Sequence, residues 1–251
     1  MKRSILISCI VILTILFAFK AKDPTIIYII GDSTAANKQE RTFPETGWGM
    51  AFAELLSGEV RVENKALNGR SSKSFKQDIG KNMDTVNHWQ PIFDNLKPGD
   101  YVLIQFGHND EKIDKPNVGT SLSEFEHNLV FYIDQAREKG AIPILLTPIA
   151  RRKFENGKLV PTHGNYPKIT KKVAKDKQVP CIDMENKTTK LLKYYGDKKS
   201  KHLFLYVEKG DKNYPNGKQD DTHLNTFGAM EVAKMVIEGI RDLKLPNLKK
   251  M

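Results

Sequence analysis

Thr25-Ile26-Ile27-Tyr28-Ile29-Ile30-Gly31-Asp32-Ser33-Thr34 is the stretch from which the fold class is read. Its unbroken apolar, β-branched run suits a strand buried on both faces, and such strands belong to parallel sheets covered by helices. Four more runs read the same way: Val60–Asn64, Tyr101–Phe106, Ile142–Leu146 and Val179–Asp183. Helical patterns fall at Trp48–Leu56, Trp89–Leu96, Ser121–Lys139, Lys168–Lys177, Glu185–Tyr195 and Asn225–Leu243. Lys97-Pro98-Gly99-Asp100 is a turn that launches the third strand, and Lys139-Gly140-Ala141 closes a helix before the fourth. The alternation predicts an α/β protein, a parallel sheet with helices on both sides. Ligands of such open sheets bind outside the carboxyl ends of the strands. Ser33, the segment Asn64–Gly69 and Asn109 all follow immediately after such ends.

Four short pieces carry the chemistry: Gly31-Asp32-Ser33-Thr34, Asn68-Gly69-Arg70-Ser71, Gly107-His108-Asn109-Asp110 and Asp220-Asp221-Thr222-His223. An unassisted serine is a poor nucleophile at neutral pH, so Ser33 requires a base within hydrogen-bond reach. His223 supplies one, and a carboxylate at its other ring nitrogen would fix the tautomer. Asp220, three residues before His223, is preferred over Asp221, two before it. Backbone N–H groups of Ser33 and Gly69 and the side-chain amide of Asn109 form the expected oxyanion hole. Each piece alone has a plainer reading. Gly-Asp-Ser can cap a helix, a loop glycine can be only a turn, and Asp-Asp-Thr-His can open the helix at Asn225–Leu243. The four together point to hydrolysis through an acyl-serine.

Composition sets the surroundings of that chemistry. The chain has 251 residues, 39% hydrophobic, with no fixed-period repeat and no linker-like stretch, so one domain is expected at 22–251. Residues 1–21 read as a signal peptide, with Lys2-Arg3 before an apolar run from Ile5 to Phe19. Ala18 or Ala21 would end it, an uncleaved anchor being the alternative; no other membrane association is expected. Leu6-Ile7-Ser8-Cys9 looks like a lipidation box, but most of the apolar run lies after it. Export to a bacterial periplasm or beyond is expected. Without the leader Cys181 is the only cysteine, so no internal disulfide can form. Subtracting Lys2, Arg3 and Lys20 from a net charge of +10 leaves about +7, with lysines crowded between Lys158 and Lys218. Most of these read as a solvated face. An acidic partner is the functional reading, with Arg70, Arg151 and Arg152 nearest the motif loops as candidates for carboxylate binding. Nucleic acid is not expected, since no aromatic-basic recognition module appears.

Other chemistries fit less well. There is no Gly-x-Ser-x-Gly elbow, no His-Glu-x-x-His or paired-cysteine zinc spacing, and no nucleotide loop, so neither a metal nor another cofactor is expected. His163 is a candidate for lining the site, with a structural role favoured. His88, His127 and His202 read as surface or structural, and His108 as shaping its turn. Asp110, Glu111 and Asp114 imitate a glycosidase pair but, crowded in one loop, read as solvated.

At these residues the chain resembles the SGNH (GDSL-type) hydrolase superfamily, with Ser33, Gly69, Asn109 and His223 as its four named positions and Asp220 completing the triad. Gly31-Asp32-Ser33-Thr34, Gly47-Trp48-Gly49, Asn68-Gly69-Arg70-Ser71-Ser72 and Thr147-Pro148-Ile149-Ala150-Arg151-Arg152 look more specifically like its rhamnogalacturonan acetylesterase branch. The resemblance runs from about Thr25 to Leu243. It implies a three-layer α/β/α sandwich with a flavodoxin-like sheet and a metal-free carbohydrate deacetylase acting on an acetylated polysaccharide or oligosaccharide. The best-known fungal members carry a disulfide that this chain lacks. The reading taken forward is an exported esterase, expected to be monomeric, that removes O-acetyl groups from pectic polysaccharide. The alternatives are an acetylesterase for xylan, envelope glycan or lipid esters, and a non-catalytic glycan-binding protein on the same fold. Turnover of p-nitrophenyl acetate separates the enzymes from the binder.

Overall fold

The computed structural model describes residues 25–56, 60–80, 83–246 and 248. The expected leader, residues 1–21, lies outside them. Five strands form the central parallel sheet: β1 (Ile26–Gly31), β2 (Arg61–Asn64), β3 (Tyr101–Gln105), β4 (Ile142–Leu146) and β5 (Cys181–Ile182). Their spatial order is β2-β1-β3-β4-β5. That is the doubly wound order whose direction of winding reverses between β1 and β3, and the crevice there is where such sheets take ligands.

Six helices cover the sheet: α1 (Trp48–Leu55), α2 (Gln90–Asn95), α3 (Leu122–Glu138), α4 (Tyr166–Asp176), α5 (Met184–Ser200) and α6 (Thr226–Asp242). Successive side chains of a strand point to opposite faces, so β1 feeds two cores. Ile27 and Ile29 pack with Trp48 and Phe52 of α1, Leu192 of α5 and Val232 and Val236 of α6. Tyr28 and Ile30 pack with Ile92 of α2, Phe125, Leu129 and Tyr132 of α3 and Val173 of α4. Burial on both faces is why these strands read as continuous apolar runs. Each fully buried Ile or Leu contributes roughly 1.5–3 kcal/mol.

The expected elements are present with shifted ends. α4 begins two residues before Lys168 because Pro167 occupies its first turn, where a missing N–H costs nothing. α5 runs beyond Tyr195, but through a break at Gly196, whose φ is 68°. None of the strands outside the central sheet is anticipated; besides two pairs of two-residue strands, β6 (Phe204–Val207) and β7 (Lys218–Leu224) form a longer antiparallel pair. Asp-Asp-Thr-His, which could have opened the following helix, lies within β7. The cap of α6 is Asn225, whose side chain accepts from the N–H of Gly228 at 2.9 Å. No helix among the described residues is long and apolar enough to cross a membrane.

Candidate active site

The turn after β1 is built around a buried carboxylate. Asp32 Oδ1 accepts from the N–H of Thr34 at 2.9 Å and from its hydroxyl at 2.8 Å. The Asp32 carbonyl accepts from the N–H groups of Ala35 and Ala36, which closes the turn and leaves Ser33 at its crest. Burial opposes the charge of Asp32, yet the neighbouring His108 and the Thr34 donors hold its carboxyl at about 2. His108 is itself buried, and burial pushes its imidazole down to about 4. Gly31, before this turn, answers a demand of the sheet. A Cβ there would stand 2.6 Å from the carbonyl oxygen of Gln105, so β1 and β3 could not approach as they do.

β7 brings the base to this serine from the far end of the chain. His223 Nε2 lies 2.9 Å from Ser33 Oγ, and its Nδ1 lies 2.8 Å from Asp220 Oδ2. The other oxygen of Asp220 accepts from the N–H groups of Thr222 and His223 at 2.8 and 2.9 Å. Partial burial opposes that carboxylate, but the bonds from His223 and Thr222 hold it well below the usual range. Asp221 is turned away: its Oδ1 accepts from Arg152 at 2.7 Å and from the Tyr206 hydroxyl at 2.6 Å. The structure therefore joins Ser33, His223 and Asp220 in one hydrogen-bonded line and leaves Asp221 outside it.

Two backbone donors in the motif loops lack acceptors. The N–H groups of Ser33 and Gly69 make no hydrogen bond among the described residues. Gly69 has φ +75°, and nothing lies within 4 Å of where a Cβ would stand. Glycine is thus required by the left-handed backbone rather than by crowding from the protein. Asn109 is buried; its Nδ2 donates to the Arg70 carbonyl at 3.0 Å and its Oδ1 accepts from Lys112 Nζ at 2.6 Å. A primary amide has two N–H bonds, so one remains after Arg70 takes its share.

The proposed substrate arginines have other partners. Arg152 has a side chain only 6% exposed and binds Asp221, the Asp197 side chain and carbonyl, and the Tyr206 hydroxyl. Its own N–H donates to the Asp221 carbonyl at 2.8 Å. It pins the β6–β7 pair to the body and cannot also meet a substrate. Arg151 is bound to Glu111, donates to the Thr222 hydroxyl at 3.2 Å and to the His108 carbonyl at 3.2 Å, and so ties the Asn109 loop to the His223 strand. Arg70 is half-buried and pairs with Asp78 at 2.5 Å. His163 is buried between Glu111, 3.0 Å away, and the Ile149 carbonyl, 2.9 Å away, which is a structural position.

Sequence reasoning also missed residues that hold the site together. Asp110, read as solvated, is fully buried; only Asp114 of that trio is exposed. The Asp110 carboxylate accepts from Ser72 N–H at 3.0 Å, Ser72 hydroxyl at 2.5 Å, Gly107 N–H at 3.0 Å and the Thr120 hydroxyl at 3.2 Å. It thereby locks the Gly69 loop to the Asn109 loop, and burial, against the pull of those donors, pushes its carboxyl up to about 7. Gln105, buried at the end of β3, accepts from Trp48 Nε1 at 2.7 Å and donates to the Thr147 carbonyl at 3.1 Å. A glutamine inside a continuous apolar strand was the one available signal, since a buried amide needs several partners. Among the described residues no three His, Cys, Asp or Glu side chains are grouped so as to hold a metal ion.

This geometry can be set beside known proteins. The profile of the GDSL-like Lipase/Acylhydrolase family matches residues 29–230. The chain is 42% identical over 227 residues to the rhamnogalacturonan acetylesterase RhgT of Bacillus subtilis (strain 168), covering 90% of this chain and 93% of the relative. It is 28% identical over 234 residues to the rhamnogalacturonan acetylesterase of Emericella nidulans, covering 85% and 84%. Among solved structures, protein YxiM of Bacillus subtilis superposes with a TM-score of 0.74 at 23% identity, over 89% of this chain and 58% of that one. Axe2, an acetylxylan esterase from Geobacillus stearothermophilus, superposes with a TM-score of 0.58 at 19% identity, over 86% and 94%. At such identities the structural likenesses speak for the fold alone. A family match across most of the chain makes this protein a member of the GDSL-like lipase/acylhydrolase family, whose members hydrolyse esters.

Proposed function

We propose that the protein is an exported acetylesterase that removes O-acetyl groups from a rhamnogalacturonan-type pectic polysaccharide. The observation that carries the reading is the line from Ser33 Oγ through the His223 ring to Asp220, with the N–H groups of Ser33 and Gly69 left without acceptors among the described residues. The substrate rests on 42% identity to a rhamnogalacturonan acetylesterase, and export on the basic and apolar leader at Lys2 to Phe19.

Ser33 Oγ attacks the acetyl carbonyl carbon as His223 Nε2 takes its proton. Asp220, held ionised, keeps the remaining His223 proton on Nδ1 and stabilises the imidazolium. The carbonyl oxygen becomes an oxyanion that receives the N–H groups of Ser33 and Gly69 and the spare N–H of Asn109. The C–O bond to the sugar breaks, the sugar oxygen takes the proton from Nε2, and an acetyl-serine remains. Water then attacks that ester with His223 again as base, releasing acetate and restoring Ser33. A pure binder has no use for a serine poised on an oriented imidazole. Acetate release from acetylated rhamnogalacturonan, acetylated xylan and p-nitrophenyl acetate, with Ser33→Ala as control, tests the reading. Preference for xylan would reassign the substrate, and no turnover of any ester by folded protein would leave only a binding role.

A further inference from the structure

A cavity opens on the same edge of the sheet. It has a volume of about 420 Å³ and lies over the carboxyl ends of β4 and β5, between the first turns of α4 and α5. Small-molecule sites occupy about 300–1,000 Å³. Ser33 follows β1, two to three strands away, and at about 4.8 Å per strand the two places are roughly 10–15 Å apart. Arg151 lines the cavity and also donates to Thr222, next to His223, so one side chain walls the cavity from the catalytic line.

The charges around this cavity are unevenly satisfied. Lys171 is committed to Asp183 at 2.9 Å and Arg151 to Glu111. Lys168 and Lys193 also line it, and neither has a hydrogen-bond or ion-pair partner among the described residues. The carboxylate left to oppose them is Glu185, whose field reaches Lys168 and whose carboxyl is pushed up by burial. Two unpaired ammonium groups against one acid leave the cavity cationic. Leu159 and Pro161 offer an apolar wall, and Asn186 and Thr189 polar ones, a mixture suited to a sugar ring.

We infer that this cavity is a subsite for a carboxylate-bearing sugar, a uronate, on the same chain whose acetyl group meets Ser33. The inference rests on the esterase reading above and deepens it. Lys168 and Lys193 take over the role that sequence reasoning gave to Arg70, Arg151 and Arg152, which already have partners within the protein. An oligosaccharide spans both places, whereas a small ester reaches only Ser33, so the subsite acts on chain substrates alone. Because its cations are exposed, its pull is screened over roughly 10 Å at 0.1 M salt.

The test is the double variant Lys168→Ala/Lys193→Ala, assayed at low salt. KM for acetylated rhamnogalacturonan oligosaccharides should rise about tenfold with little change in kcat, while kcat/KM for p-nitrophenyl acetate stays at the wild-type value. Acetylated xylan, which presents a neutral backbone, should show no such rise. An unchanged KM on the acidic substrate, or an equal rise on both polymers, overturns the inference. Titration of Ser33→Ala with de-acetylated rhamnogalacturonan oligosaccharide, with and without the two lysine changes, reads the subsite without catalysis. Binding that the lysine changes weaken about tenfold supports it even if the acetylated polymer proves a poor substrate; binding indifferent to them, or absent, refutes it.

Discussion

Replacing Asp220 by asparagine tests the proposed catalytic line at its least visible member. The Asp220 Oδ1 position is fixed by two backbone donors, Thr222 and His223 N–H at 2.8 and 2.9 Å. An asparagine would keep its carbonyl oxygen there, because only an acceptor can satisfy both. Its NH2 group would then stand where Oδ2 now accepts from His223 Nδ1 at 2.8 Å. Two donors cannot share a hydrogen bond, so the imidazole would carry its proton on Nε2 and accept at Nδ1. Nε2–H would donate to Ser33 Oγ, 2.9 Å away, instead of taking its proton. The fold is preserved and the base is lost. In the analogous triad this inversion costs about ten-thousandfold in kcat, or about 5 kcal/mol at 1.36 kcal/mol per factor of ten. Asp221→Asn, whose side chain meets Arg152 and Tyr206 instead, should stay within a few fold of wild type. Steady-state hydrolysis of p-nitrophenyl acetate at pH 7.5, with circular dichroism to verify folding, reads both. Asp220→Asn within tenfold of wild type, or the larger loss at Asp221, would refute the reasoning.

Asn109→Ala should lower kcat by roughly a hundred- to thousandfold with KM little changed, the cost of one oxyanion donor; near-full activity in folded protein would remove it from that role. Lys112→Met should lower kcat about tenfold, because the ammonium that fixes the Asn109 amide is gone, and Lys112→Arg should recover most of it. Arg152→Ala should cost about 2–3 kcal/mol in urea unfolding, since it strips Asp221, Asp197 and Tyr206 of a shared partner; an unchanged midpoint would show that the β6–β7 pair is held by other contacts. Asp110 makes a prediction about pH. Its folded value, about 7, lies above the roughly 3.9 of an unfolded aspartate. Its contribution is therefore full below about pH 4 and declines as pH rises through about 7, by at most about 4 kcal/mol. Asp110→Asn should be less stable overall but flatter between pH 4.5 and 7.5, and an unaltered slope would contradict the burial argument.

What was legible in the sequence, and what was not, follows from how local each signal is. β1, β3 and β4 are apolar on both faces, so Ile26–Ile30, Tyr101–Ile104 and Ile142–Leu146 announce themselves without knowledge of their neighbours. β7 gives no such notice. Lys218-Gln219-Asp220-Asp221-Thr222-His223 is polar throughout, and its strand character comes from pairing with Phe204–Val207. Ser33, Gly69, Asn109 and His223 could be picked out because each sits in a short motif of its own. Arg152 and Asp110 were misread because their roles depend on partners far along the chain. Arg152 meets Asp221 across 69 positions and Asp110 meets Ser72 across 38. A single sequence records charges, and a charge reads the same whether it is spent inside the protein or offered to a ligand.

The separation of Ser33 from His223 by 190 positions has a consequence in time. A ribosome adding about 5–20 residues per second makes the serine roughly 10–40 s before its imidazole. Through that interval the turn after β1 can form, and the hydroxyl can be displayed, with nothing to take its proton. The later segment, β7 with α6 behind it, is the one that would arm the earlier turn. Catalytic competence is thus expected only once His223 has been added and has reached Ser33: a product cut short before His223 should hydrolyse no ester.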